Sequence, residues 1–415
     1  MIRKNRVVVT GMGILAPNGI GIDAFWESLL AGRSGIGPIT LFDASEFKSR
    51  IAGEVKNFNP LDYIEPELKP KRMARHTQLA YAATMMALEN AGLDRRNLQL
   101  PSPTPVIIGI STSAIDVIES VHFAIHNNGP NRAPTTSAAA SIPQAAANTI
   151  ADRIGASAHA ATVSSACPSG LDAIADAAAM IRAGEAEIAI AGGADAPITP
   201  LTMASFIAGG LSSSRNGEPE KASRPFDLKR DSGVISEGAG VFILEDAERA
   251  AARGARAYLE IGGYGKQRDI DPARPGSGLE DSMSIALANA ACAPSDIDYI
   301  SAYGPSHPVL DIVEVNAIRA VFGARAYSVP VSSIKGVTGN PLAAGGPFQV
   351  AACALSFRDQ IIPPTANYEV RDPQCDLDFV PNHPRKAKVN CALLNVRGIG
   401  GSACTMILTG NGALN

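Results

Sequence analysis

One cysteine in this chain stands where a nucleophile is commonly built. Residues 161–170 read ATVSSACPSG, and the LDAIADAAAMIRAG that follows spaces its apolar positions as a helix does. Cys167 therefore falls at a strand-to-helix turn, with Pro168 in a first helical turn where a missing N–H leaves no bond unmade. At such a place the unpaired N–H groups and the positive end of the helix dipole favour thiolate over thiol. This predicts a lowered pKa for Cys167 without any adjacent base. The backbone N–H of the same residue points toward an incoming carbonyl and supplies half of an oxyanion hole. The same local pattern also suits a small cysteine packed into a core, and ten residues do not separate the two readings.

The elements that must hold this turn follow a βαβ rhythm. Strand-like apolar runs lie at 6–10, 105–110, 187–191, 240–245, 258–261 and 388–395. Helical patterns lie between them, at 74–91 closed by Gly92 and at 170–182 closed by Gly184. The first series ends near 251–254 and a second begins at Ala257, which predicts an α/β protein of two related halves, 1–254 and 255–415. The polar, proline-bearing stretches 127–141 and 211–229 read as excursions that cap a cavity, reach across a dimer or serve as plain loops.

Composition excludes several functions. Of 415 residues, 46% are hydrophobic and 18% charged, with 39 glycines, the profile of tightly packed α/β enzymes. The net charge is −4 and no basic run is long enough to follow a nucleic-acid backbone. No apolar run reaches the length of a membrane span, and the N-terminus passes directly into strand and turn signals, so a soluble, cytoplasmic protein is expected. The six cysteines show neither C-x-x-C pairs nor the density of a disulfide scaffold, and metal or redox-cofactor signatures are not seen.

Six segments, in order, resemble the ketoacyl synthase II family of condensing enzymes, and closely the ketosynthase subunits of type II polyketide synthases. They are VVVTGMG at 7–13, SSACPSG at 164–170, GGADAPITP at 192–200, RPFDLKRDSGVISEGAG at 224–240, SSIKGVTGN at 332–340 and NVRGIGGSA at 395–403. The resemblance implies a thiolase-like five-layer αβαβα fold, a dimer, and acylation of Cys167. It implies no cofactor of the chain's own, since the phosphopantetheine arm arrives with an acyl carrier protein.

That family completes its site with two histidines and a lysine. The first histidine opens a stretch resembling H-G-T-G-T; here the stretch is Tyr303-Gly304-Pro305-Ser306-His307, with Asp311 and Glu314 where the downstream acidic pair is expected. The second follows T-G in the segment that here runs from Ser332 to Asn340, so asparagine takes its place while Lys335 is kept. The resemblance thus carries over Cys167, Lys335 and Glu314 to this chain, with Tyr303 and Asn340 in the histidine positions. Ser306, His307, Ile399 and Gly400 become candidate substrate contacts. The N–H at Ile399 completes the oxyanion hole, although isoleucine stands where the family often has a gating phenylalanine. Lys69, Lys71, Arg72 and Arg75 form a basic cluster that either docks the acidic carrier protein or is a solvated face.

Decarboxylation of a malonyl thioester needs two preorganised donors on the developing enolate oxygen. Removing one such donor costs on the order of 2.7–4 kcal/mol, so replacing both imidazoles cripples that step. A tyrosine hydroxyl and an asparagine amide each donate one hydrogen bond, but neither shuttles a proton near neutral pH. Three readings follow. The chain is an acyltransferase that loads Cys167 and passes the acyl group on without malonyl decarboxylation. Alternatively it resembles chain-length-factor subunits and pairs with an active ketosynthase, or it is a true 3-oxoacyl synthase with an atypical site. Its partner is accordingly a second copy or a ketosynthase, together with the carrier protein.

Overall fold

The computed structural model describes residues 5–94, 100–155 and 159–410. Ten strands form one continuous hydrogen-bonded path: β1 (Val7–Ala16), β2 (Val106–Gly109), β3 (Ala160–Val163), β4 (Ile188–Asp195), β5 (Gly238–Asp246), β6 (Leu259–Arg268), β7 (Tyr299–Ser301), β8 (Val331–Ser332), β9 (Cys391–Arg397) and β10 (Ser402–Thr409). Their spatial order is β8-β7-β9-β10-β6-β1-β5-β4-β2-β3. From the junction outward, each side runs first strand, fifth, fourth, second, third. The orientations repeat as well: β5 is antiparallel to β1 and β4, β10 to β6 and β9, while β4-β2-β3 and β9-β7-β8 are parallel. The two sides meet where β1 pairs antiparallel with β6, Val8 opposite Glu260 and Val9 opposite Leu259.

Alternation along the strands separates the core into slabs. In β5, Phe242 and Leu244 face the slab between the two sides, while Val241 and Ile243 face the outer helix α1 (Arg75–Asn90). In β9, Leu394 and Val396 face inward, while Leu393 faces α3 (Ser277–Ala290) and α4 (Leu310–Phe322). Strands buried on both faces must be apolar at consecutive positions, which is why they read as runs. Two helices fill the middle slab, α2 (Ser169–Arg182) and α5 (Gly345–Asp359), and α5 is buried over nearly its whole length. The order of layers is helix, sheet, helix, sheet, helix, the five-layer αβαβα arrangement expected above.

The recognised strands occupy the expected runs, and Gly92 (φ +70°) and Gly184 (φ +74°) take the left-handed turns that end α1 and α2. Among the described residues no helix is long and apolar enough to cross a membrane.

The head of α2 is seated by residues that have no side chain. A Cβ on Gly109, at the end of β2, would lie 2.2 Å from the carbonyl of Ser169, and one on Gly170 would lie 2.2 Å from the Ala343 carbonyl oxygen. A Cβ on Gly193 in β4 would lie 2.4 Å from that same oxygen. Gly109→Ala is therefore expected to destabilise the fold by about 1–3 kcal/mol through overpacking. Urea denaturation checks this, and an unchanged midpoint would contradict the packing described.

Candidate active site

Between β3 and α2 the chain turns through residues 164–168. Ala166 takes the left-handed region at φ +64°, a conformation that costs a non-glycine residue on the order of 1–2 kcal/mol. Local bonds hold it there. The N–H and hydroxyl of Ser169 both donate to the Ala166 carbonyl, at 3.0 and 2.5 Å, and Ser165 N–H donates to Ser169 Oγ at 2.8 Å. Ser165 Oγ donates to Asp172 at 2.6 Å, and Asp172 also takes Tyr264 Oη and Lys266 Nζ from β6. The turn is thus tied to its own helix and to the second half of the molecule.

Cys167 is 3% exposed, yet it is not sealed in. It lines a cavity of about 340 Å³ whose walls include Phe206, Leu211, Leu310 and Leu342, and whose rim carries Ile399, 61% exposed. The opposite wall comes from the second half. Tyr303, just past β7, donates its hydroxyl to Cys167 Sγ at 3.6 Å. Glu314 on α4 fixes that tyrosine from behind by accepting the N–H groups of Tyr303 and Gly304, at 2.9 and 2.8 Å. Lys335 Nζ stands 4.5 Å from the centroid of the Tyr303 ring, a cation–π contact on a buried ammonium. The Asn340 amide lies beside the Tyr303 hydroxyl, and its buried Oδ1 has no partner among the described residues.

Electrostatics corrects one expectation. Burial pushes the Cys167 thiol up from its ordinary value, and the Tyr303 hydroxyl and Lys335 ammonium only partly oppose it. Desolvation outweighs the helix end, so the lowered pKa anticipated from the turn is not found. Burial also raises Tyr303 well above a free phenol, which keeps it a donor at neutral pH. Lys335 is pushed down to about 8 by burial, against the pull of Cys167, Glu314 and Asp311.

The loop after β9 closes over the nucleophile. A Cβ on Gly398 would lie 2.5 Å from Ser402 Oγ, 3.0 Å from Pro168 Cδ and 3.1 Å from Ala166 Cβ, so the loop is packed closely against the turn. The N–H groups of Cys167 and Ile399 have no acceptor among the described residues, and both residues line the one cavity. Gly400 lines it too, as does His307, whose Nδ1 accepts the N–H of Val309 at 3.1 Å and whose pKa burial lowers.

Two assignments need correction. Ser306 is fully buried and is not part of the cavity wall; its hydroxyl accepts the Arg224 N–H at 2.9 Å and donates to the Ser232 carbonyl at 3.1 Å. Arg75 is not a docking residue, because its guanidinium holds Glu237 with two bonds of 2.6 Å. Lys69, Lys71 and Arg72 do lie exposed, and the last two border a separate cavity of about 500 Å³ beside Pro134, Thr135 and Ser137. The 127–141 excursion therefore borders that cavity and not the one at Cys167. Sequence reasoning passed over Arg397, which ends β9 and lines the Cys167 cavity; a charge interrupting an apolar strand was its only signal.

Lys335→Met removes the ammonium that favours the Cys167 thiolate. Alkylation of Cys167, read by peptide mass, is expected to slow roughly tenfold below pH about 8, where Lys335 is charged, and the gap to wild type should close as pH rises past that value. Equal rates at every pH would remove Lys335 from the site.

Residues 4–250 match the family description "Beta-ketoacyl synthase, N-terminal domain" and residues 258–369 match "Beta-ketoacyl synthase, C-terminal domain". The chain is 40% identical over 416 residues to a putative polyketide beta-ketoacyl synthase 1 of Streptomyces cyaneus, covering 98% of each. It is 37% identical over 409 residues to the 3-oxoacyl-[acyl-carrier-protein] synthase 2 of a Synechocystis species, again covering 98% of each. Among solved structures, the ishigamide ketosynthase/chain length factor superposes with a TM-score of 0.91 at 32% identity, covering 99% of this chain and 100% of that one. A duplicated sheet, a cysteine at the head of its central helix and these matches together place the chain in the beta-ketoacyl synthase family of fatty-acid and polyketide biosynthesis.

Proposed function

We propose that this protein accepts an acyl chain from an acyl carrier protein onto Cys167 and transfers it to an acceptor without decarboxylating a malonyl group. The observation that carries the reading is the pairing of an accessible cysteine with Tyr303 and Asn340 as the polar groups facing it. In the resembled ketosynthases two imidazoles at that wall are the donors to the developing enolate oxygen, the charge that decarboxylation must stabilise. Here the hydroxyl of Tyr303 stays protonated and the amide of Asn340 does not titrate.

Acyl capture asks less of the wall. Cys167 Sγ attacks the thioester carbonyl, and the developing oxyanion takes the N–H groups of Cys167 and Ile399. The carbon–sulfur bond to the pantetheine then breaks, and that thiol leaves with the proton Cys167 gave up. Tyr303 donates to Sγ and Lys335 lends its charge, which offsets part of the rise that burial imposes on the thiol. The arm enters past Ile399 and Gly400. Lys69, Lys71 and Arg72 supply a positive surface for an acidic carrier protein, and the Synechocystis relative is by name a synthase of carrier-bound acyl chains. The protein works as a dimer, either of two copies or with a ketosynthase; the superposed ishigamide protein pairs a ketosynthase with a chain length factor.

Incubation with acyl carrier protein bearing a saturated acyl chain should add one acyl mass to the wild type and none to Cys167→Ala. An unmodified wild type that copurifies one-to-one with a histidine-bearing ketosynthase would sink the proposal and favour a chain-length-factor role. Restoring both imidazoles in Tyr303→His/Asn340→His is expected to raise malonyl decarboxylation by roughly a hundredfold or more. No gain would contradict the part assigned to these two positions.

A further inference from the structure

Apart from neutral-leaning His307, Arg397 is the only basic residue on the wall of the Cys167 cavity among the described residues, and no acidic residue lines it. Its side chain is 12% exposed, and its neighbours on that wall include Leu211, Leu310 and Ile399. One bond holds it from behind, Nη2 to Asp269 at 2.6 Å. Asp269 does not belong to Arg397 alone. It also accepts the N–H groups of Gly276 and Gly278 at the head of α3, at 3.0 and 2.9 Å, so helix amides share its negative charge. Arg397 Nε is buried with no acceptor among the described residues. A guanidinium carries five donors in a fixed fork, and Asp269 takes only one of them, through Nη2.

The place matters as much as the charge. Arg397 precedes Gly398, which rests directly on Ala166 and Pro168, the residues that flank Cys167. A cation on a wall that also carries Leu211, Leu310 and Ile399, adjacent to the nucleophile's own turn, selects an acyl group that ends in an anion, because a charge-assisted bond formed away from water is the strong kind.

We propose that Arg397 receives the free carboxylate of a short carboxyacyl thioester, malonyl or a close homologue, and that Cys167 takes up this acyl group with the carboxylate retained. This rests on the reading of Cys167 as an acyl acceptor. It gives the loss of the imidazoles a purpose: the wall that no longer expels carbon dioxide leaves a carboxylated acyl group whole. In the step the Cys167 Sγ–carbon bond forms, the pantetheine sulfur–carbon bond breaks, and the pantetheine thiol carries away the thiol proton. No electrons change hands and no carbon is lost.

Three chains of nearly equal shape, malonyl, acetoacetyl and isovaleryl, loaded on one carrier protein, test the proposal by the rate at which each acylates Cys167. Malonyl is expected to load roughly tenfold or more faster than the other two, with the full malonyl mass on the protein. Arg397→Gln should level the three rates, and Arg397→Lys should keep part of the preference. Wild-type protein that loads isovaleryl as readily as malonyl overturns the role of Arg397 and leaves Cys167 as an acyl acceptor, whereas an acetyl mass after malonyl treatment overturns the retained carboxylate and the absence of decarboxylation together. Absence of any adduct overturns both the role of Arg397 and Cys167 as an acyl acceptor. The wild-type comparison stands whether or not the variants fold.

Discussion

A single backbone oxygen, that of Ala343, is approached so closely by Gly170 and Gly193 that neither position has room for a methyl group. This contact clamps the second half of the molecule against the first at the head of α2, and the active site depends on it. The first half supplies Cys167, Phe206 and Leu211; the second supplies Tyr303, Asn340, Arg397 and Ile399. Neither half contains a working constellation. A shift of even one ångström across this seam would separate Tyr303 Oη from Cys167 Sγ, and catalytic groups lose much of their effect at such displacements.

Burial governs the chemistry in the same way. The thiol, phenol, ammonium and carboxylate of Cys167, Tyr303, Lys335 and Glu314 are all withdrawn from water, and desolvation is the largest influence on each. The carboxylate is offset by two backbone N–H groups, and the ammonium lies over an aromatic face. The network is coherent with one ammonium, one thiol and no imidazole. Its thiol, phenol and ammonium are set by burial and by one another.

Much of this was legible in the sequence, and the gaps have physical causes. Strands such as β5 and β9 are apolar at successive positions because both faces are covered, and runs of that kind stand out. β7 and β8 have three and two residues, too few to show any period, and β10 reads SACTMILT, where small polar residues mask a fully packed strand. Cys167, Tyr303, Lys335 and Asn340 were found through ordered motifs and converge as expected. Arg75 was misassigned because its partner, Glu237, is 162 residues away, a distance no local pattern spans. The thiol pKa was misjudged for a related reason: a helix end is visible in sequence, but the depth of burial around it is not.

At issue is whether a beta-ketoacyl synthase site has kept acyl capture while giving up the release of carbon dioxide. Counting carbon dioxide evolved against acyl occupancy of Cys167, in one sample of wild-type protein with malonyl carrier protein, measures both sides together. Occupied Cys167 with essentially no carbon dioxide is the predicted result. Carbon dioxide evolved at the rate of a histidine-bearing relative, or a Cys167 that stays free throughout, would contradict it.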